Sequence, residues 1–274
     1  MDTSKLAEPN FIDRDANKIT AELVAKYEEF SGKLLYPAQA DRLMIDVIAY
    51  REMLIRNSIN EAAKQNLIAF ASGVMLDYLG DFFGVVRLDA ETDEQLRTRI
   101  RLAPESYATT GSRQAYIFHA LSTDAAIIDC EAVRGTSGKI FIYILTADGT
   151  ASPELIQAVL DNTSDEKKRP LSDRVDVIAG QALDLHLKIK VTPLTNANPQ
   201  VALDNARVNA QAFADKRRTK LGQDIVPSQI IDALSHDDIW QVEVIAPAKP
   251  LVLEPWQWAN VTDIKVTLGG AQNG

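Results

Sequence analysis

Catalysis or metal binding needs a nucleophile beside a base, ligands on one face, or glycines around an anion, and this 274-residue chain carries fragments of each. Its three histidines, His119, His186 and His236, lie in separate segments, without the i, i+4 or H-x-x-E spacing that sets two ligands on one helix face. His236-Asp237-Asp238 has donors for a cation, but consecutive residues at a helix end point in different directions, so it reads as an exposed turn. His186 alternates with Leu185 and Leu187 and reads as a solvent-facing strand residue. Gly135-Thr136-Ser137-Gly138-Lys139 resembles a phosphate loop, yet two residues separate the glycines where four are needed. Ile140 stands where a Ser or Thr belongs and a strand pattern follows, so a hairpin turn is the better reading. No serine sits in a G-x-S-x-G frame. Carboxylates are abundant, but nothing nominates a catalytic pair. No catalytic residue, metal or cofactor is assigned, and the chain is not expected to be an enzyme. A hydrolase with its site between two α+β domains is the alternative.

Composition narrows the partners. Lys and Arg number 29 against 38 Asp and Glu, giving a net charge of −9, so no electrostatic footprint for nucleic acid is apparent. The single cysteine, Cys130, excludes an internal disulfide and a thiolate cluster and fits a reducing cytoplasm. Met1-Asp2-Thr3-Ser4-Lys5 lacks the basic start of a signal peptide. The longest uncharged runs fall short of the ~18 apolar residues of a membrane span. The expectation is a soluble chain without a membrane or nucleic-acid partner.

The elements that would position any site begin with helices. Ile19, Leu23, Tyr27 and Phe30 step by four, four and three, which aligns them on one stripe, and Gly32 supplies a left-handed stop. After Pro37, the residues Leu43, Val47, Tyr50 and Leu54 form a second stripe, widened by Met44, Ile48 and Ile55. That spacing suits a helical bundle, and these four are the candidate partner interface. The pattern continues through Ile59, Ala63, Leu67, Phe70 and Val74, so one helix longer than 30 residues is expected, either reaching out to partners or forming an internal core. Thr92-Asp93-Glu94-Gln95 is a capping box. It opens a short helix whose Arg97, Arg99 and Arg101 read as a solvated face pairing with Asp93 and Glu94.

The fold class expected is α+β, a helical bundle-forming region over residues 1–104 followed by two small α+β domains, 105–180 and 181–274. The first runs helix (113–121), hairpin (127–133 and 139–146), helix from Ser152-Pro153 to about 162, and strand (175–178). In the second, residues 183–191 alternate, with Leu185, Leu187, Ile189 and Val191 facing one way. A helix opens at Asn198-Pro199 with Val201, Ala202 and Val208 apolar, and another at Pro227-Ser228 with Ile230, Ile231 and Leu234. Strands at 239–246 and 261–268 precede a short flexible tail, 269–274. Lys167, Lys168 and Arg169 form a basic stretch that reads as a solvated loop or a contact with an acidic neighbour. Trp256 and Trp258, in a Pro-flanked segment between strands, read equally as an interface or as a loop packed on its own domain. Pro104 and Gly111 bracket a candidate hinge that also holds Thr109-Thr110.

An ordered series of strings resembles the baseplate J-like family of contractile-tailed bacteriophages and related contractile particles. It runs from Asn17-Lys18-Ile19-Thr20-Ala21-Glu22 through Tyr36-Pro37-Ala38-Gln39-Ala40-Asp41-Arg42-Leu43 and Leu76-Asp77-Tyr78-Leu79-Gly80. Thr110-Gly111-Ser112 and Arg169-Pro170-Leu171-Ser172-Asp173-Arg174-Val175 continue it, for coverage of about residues 12–177. The resemblance implies a structural wedge protein of a virion tail baseplate, assembled in the bacterial host cytoplasm. It implies two copies of this chain with one second wedge protein, joined through the N-terminal helices in a shared bundle that also holds a small lysozyme-like wedge protein. It further implies ring contacts with neighbouring wedges around a central hub and spike, and a widening of the ring that triggers sheath contraction. The family transfers no catalytic residues. A tail sheath or tube component is a third reading.

Overall fold

A computed structural model describes residues 6–107 and 111–272, so Thr109-Thr110 and the last two residues of the expected tail lie outside the described residues. The chain divides into two compact units, Met1–Arg87 and Leu88–Gly274. The architecture is α+β, with helices first and two small sheets after them.

In the first unit, α1 (Ala16–Ser31) opens on Asp15, whose carboxylate accepts from the Asn17 amide at 2.9 Å. It stops at Gly32, which takes φ 65°. α2 (Ala40–Lys64) returns antiparallel: Tyr27 hydrogen bonds Asp41 near one end, and Glu22 lies 3.8 Å from Arg56 toward the other. Ile19, Ile45 and Ala49 are buried. Asn60, only 1% exposed, straps the leading segment to α2. Its Oδ1 accepts from the Phe11 and Ile12 amides at 2.9 and 3.0 Å, and its Nδ2 donates to the Ile12 carbonyl at 2.8 Å.

The helix longer than 30 residues is not formed; α2 has 25 residues and ends at Lys64. The Asn66 side chain donates to the Ala62 carbonyl at 3.1 Å, satisfying an orphan acceptor there. Turns follow, with the Leu67 amide on the Lys64 carbonyl (2.9 Å) and the Phe70 amide on the Leu67 carbonyl (2.8 Å). Such i to i+3 bonds keep apolar residues three to four apart, so the stripe outlives the helix. Gly73 at φ 53° then begins α3 (Gly73–Phe82).

In the second unit, α4 (Asp93–Leu102) opens on the expected capping box, and a single 3₁₀ turn (Ala103–Ser106) follows. α5 (Arg113–Leu121) is capped by Ser112. β1 (Ile127–Arg134) and β2 (Lys139–Thr146) form the expected hairpin, closed by the Gly135 amide on the Lys139 carbonyl at 2.8 Å. α6 (Pro153–Ser164) crosses to β3 (Arg174–Ala179), which pairs parallel to β2. Tyr116, Ala120, Cys130, Ile142, Ile144 and Val159 fill the core between this sheet and its helices.

The second sheet has β4 (Gln181–Pro193) at its centre, antiparallel to β5 (Ile239–Ala246) and parallel to β6 (Gln257–Leu268). Leu185, Leu187, Ile189 and Val191 are buried as a set against α7 (Pro199–Arg218) and α8 (Pro227–Leu234). Their alternate neighbours His186, Lys188 and Lys190 face solvent. The inward face of α7 is Ala202, Leu203, Ala206, Ala210 and Phe213, whereas Val201 and Val208 are exposed; Ile231 on α8 is also 38% exposed.

Two placements differ from the sequence reading, the end of the helical unit and the arginines of α4. α4 and its 3₁₀ turn belong to the second compact unit, so the helical unit ends at 87 and not at 104. Arg97 and Arg99 are no solvated face: both are buried, Arg97 against Glu94, and Arg99 gripping Glu91 at 2.9 and 2.8 Å. The candidate hinge joins elements bonded to one another. Arg99 Nε donates to Ser122 Oγ at 3.1 Å, and Gln95 Nε2 donates to the Ala125 carbonyl at 2.7 Å. Gly111, at φ 68°, lies so close to Pro170 that an added Cβ would come within 2.7 Å of its Cγ. A rotation at Pro104–Gly111 would break these contacts.

Candidate assembly surfaces

The stripe expected on α2 is formed, and the described residues of the helical unit leave it exposed. Leu43 is 67%, Val47 52% and Tyr50 57% exposed, while Leu54 is half-buried. Met44, Ile48, Ile55 and Ile59 extend the apolar arc, and all four are exposed. The reason is geometric: α1 and the segment leading into it take the side of α2 that bears Ile45, Ala49 and Asn60, and a 3.6-residue period puts the stripe on the remaining sides. On α3, Val74, Tyr78 and Phe82 repeat at four-residue steps and are 64, 69 and 84% exposed. Contiguous apolar surface of this kind marks a contact face on a protein.

The basic stretch after α6 is largely engaged internally. Arg169 donates from Nε to the Ser164 carbonyl at 2.8 Å and from Nη1 to the Asp173 carbonyl at 2.8 Å, pinning the loop. Lys168 bonds Asn162, and Lys167 is exposed. Tyr116 donates to Asp173 at 2.7 Å from beneath this loop, and burial with that bond pushes its phenol well above the usual value. Of the tryptophans, Trp258 lies on β6 and not in a loop between strands. It is 4% exposed and packs with Leu145 and Leu221 where the two sheets meet, with Arg218 over its ring at 5.6 Å. Gly149 at φ 79° makes room for it: a Cβ there would lie 2.5 Å from the indole. Trp258 is therefore an internal seam. Trp256 is half-buried with its ring 5.6 Å from that of Tyr143.

A cleft of about 130 Å³ lies between α4, β1 and Lys220, where the hydrolase alternative would place its site. Its carboxylates already have partners. Glu91 holds Arg99, Asp129 accepts from Lys220 Nζ at 3.0 Å and from the Leu221 amide at 2.8 Å, and Glu94 holds Arg97. No Ser, Cys or His lines it. His119 is buried away on α5, where desolvation lowers its basicity and Lys168 adds to the effect. His186 is exposed near Thr262, its Nδ1 3.2 Å from the hydroxyl. Among the described residues, no cluster of three His, Cys, Asp or Glu could hold a metal, and no helix is long and apolar enough to cross a membrane.

Charged groups paired inward and apolar helix faces left open are the marks of a subunit built into a larger assembly. Its sequence matches the Baseplate J-like N-terminal domain over residues 42–92, the Baseplate J-like central domain over 108–179 and the Baseplate J-like protein C-terminal domain over 185–267. The chain belongs to the baseplate J-like family. It is 29% identical over 247 residues to Baseplate protein J of Escherichia phage P2, covering 83% of this chain and 81% of that protein. The first match takes in the stripe on α2, the second the hairpin sheet, and the third nearly all of the β4 sheet.

Proposed function

We propose that this chain is a structural wedge protein of a contractile phage tail baseplate, or of a phage-derived contractile particle, and that it works through protein contacts alone. Two copies join one second wedge protein, whose helices cover the α2 stripe in a shared bundle, and a small lysozyme-like wedge protein attaches there. The sheet-bearing unit then meets neighbouring wedges around a central hub and spike. The closed ring passes on the conformational change that precedes sheath contraction. Assembly takes place in the host cytoplasm and the product resides in the virion tail. The single observation that carries this reading is the exposed arc on α2 in a member of the baseplate J-like family. Taking a Leu or Val from water into a contact contributes about 1.5–3 kcal/mol from full exposure, and roughly half of that from the exposures seen here. Several such side chains together suffice for a stable bundle after the entropic cost of association. The hydrolase and sheath alternatives have no comparable observation in their favour. The test is native mass spectrometry of the chain co-expressed with the products of its flanking genes. A complex of two copies with one second protein is the expected result, and a lone monomer overturns the proposal.

A further inference from the structure

Arg51 sits in the middle of the apolar arc of α2. One turn before it stand Val47 and Ile48 and one turn after it Leu54 and Ile55, so four apolar side chains surround a single cation. Val47, Ile48 and Ile55 are each about half exposed (52, 51 and 55%), and Arg51 is exposed with them. The neighbouring carboxylates are engaged elsewhere on the helix. Asp46 holds Arg42 at 3.0 Å, Glu52 holds Arg56 at 2.9 Å, and Glu61 holds Lys64 at 2.8 Å. Among the described residues the Arg51 side chain makes no hydrogen bond and no ion pair.

Resting on the bundle reading above, we propose that the helix covering α2 carries a carboxylate opposite Arg51, and that this pair fixes the register of the bundle. A helix laid on this arc strips water from the guanidinium, and a buried charge without a counter-charge is strongly unfavourable. Apolar residues flank Arg51 on both sides of its helix line, Leu43, Val47, Tyr50 and Leu54 on one and Met44, Ile48, Ile55 and Ile59 on the other. A uniformly apolar stripe tolerates slippage by a turn, whereas one polar position within it selects a single alignment. Two copies of α2 paired about a two-fold axis at Arg51 would oppose two guanidiniums, so the charge favours a different chain as occupant.

The test uses the full chain co-expressed with the products of its flanking genes. In R51K, a carbodiimide converts a carboxylate to an O-acylisourea; the amine at position 51 attacks the acyl carbon, loses a proton and expels the urea, forming an amide only where the two touch. The expected result is one cross-linked peptide joining position 51 to an Asp or Glu of the second protein, absent in R51Q. R51E is expected to weaken the complex about tenfold or more. R51M, which removes the charge, retains the complex. Exposure of Arg51 leaves folding untouched in all four variants. The inference is overturned by a complex without a cross-link at position 51, by a cross-link to a second copy of this chain, or by R51E assembling like wild type. If replacing Tyr50 and Leu54 with Asp also leaves the complex intact, the bundle reading itself fails, and that outcome is separate from the failure of Arg51 alone.

Discussion

Removing Glu91 should unfold the sheet-bearing unit more readily than its position just ahead of a helix suggests. The Glu91 side chain is fully buried and that of Arg99 is 6% exposed, and both Glu91 oxygens accept from Arg99 Nη1. Glu91 Oε2 also accepts from the Leu88 amide at 2.9 Å. Glu91→Ala removes the carboxylate that this buried guanidinium grips, and breaking a buried pair by removing one partner costs about 3–5 kcal/mol. In a unit of this size each kcal/mol moves Tm by about 2–4 °C, so a fall of roughly 6–20 °C is expected. Replacing both partners with Met removes the charge along with its counter-charge, and that variant should stay within about 1 kcal/mol of wild type or exceed it. Tryptophan fluorescence during urea unfolding is the assay, because Trp240, Trp256 and Trp258 all lie in this unit and report it alone. A Glu91→Ala variant within about 1 kcal/mol of wild type, or a double variant as unstable as the single one, would show that the buried charge pair does not set the stability of this unit.

Gly149→Ala combines a left-handed backbone with a Cβ 2.5 Å from the Trp258 ring, and should destabilise by about 2–4 kcal/mol with a shifted tryptophan emission. An unshifted spectrum and unchanged urea midpoint would show that the seam relaxes freely. His119 titrates below its ordinary value because it is buried. Well above the ordinary value of 6.5 its ring is neutral in both folded and unfolded chains and contributes no pH dependence. As pH falls through that value the unfolded chain takes up a proton first, so stability declines toward acid. His119→Gln should flatten this decline in urea midpoints measured from about pH 7 to pH 5, and an unaltered slope would assign it to other groups.

Much of the fold can be read from local chemistry. The Thr92–Gln95 capping box, the Ser152-Pro153 and Asn198-Pro199 starts, and the alternation of Leu185, Leu187, Ile189 and Val191 each depend on neighbours in sequence, and each is formed. What local pattern misses depends on partners distant in space. Arg99 looks like a surface charge until Glu91, in the segment ahead of the α4 cap, folds in beneath it. Trp258 reads equally as an interface anchor or as internal packing until the sheet containing β2 brings Leu145 against it. The apparent continuation of α2 past Lys64 fails for a third reason: 3₁₀-like turns share the spacing of a helix without its hydrogen bonds. For the candidate surface, the stripe Leu43, Val47, Tyr50 and Leu54 is visible in the sequence. Its exposure is not, since that follows from which side of α2 the first helix covers.

The central claim is that the α2 arc binds a partner helix, and the most direct measurement is co-purification of the Tyr50→Asp, Leu54→Asp double variant with the flanking gene products. Tyr50 is 57% exposed and Leu54 half-buried, on a helix outside the sheet-bearing unit, so tryptophan fluorescence of that unit should match wild type. The complex is expected to be lost while that fluorescence is retained; recovery of the complex in wild-type yield from the double variant would mean that no partner helix lies on this arc.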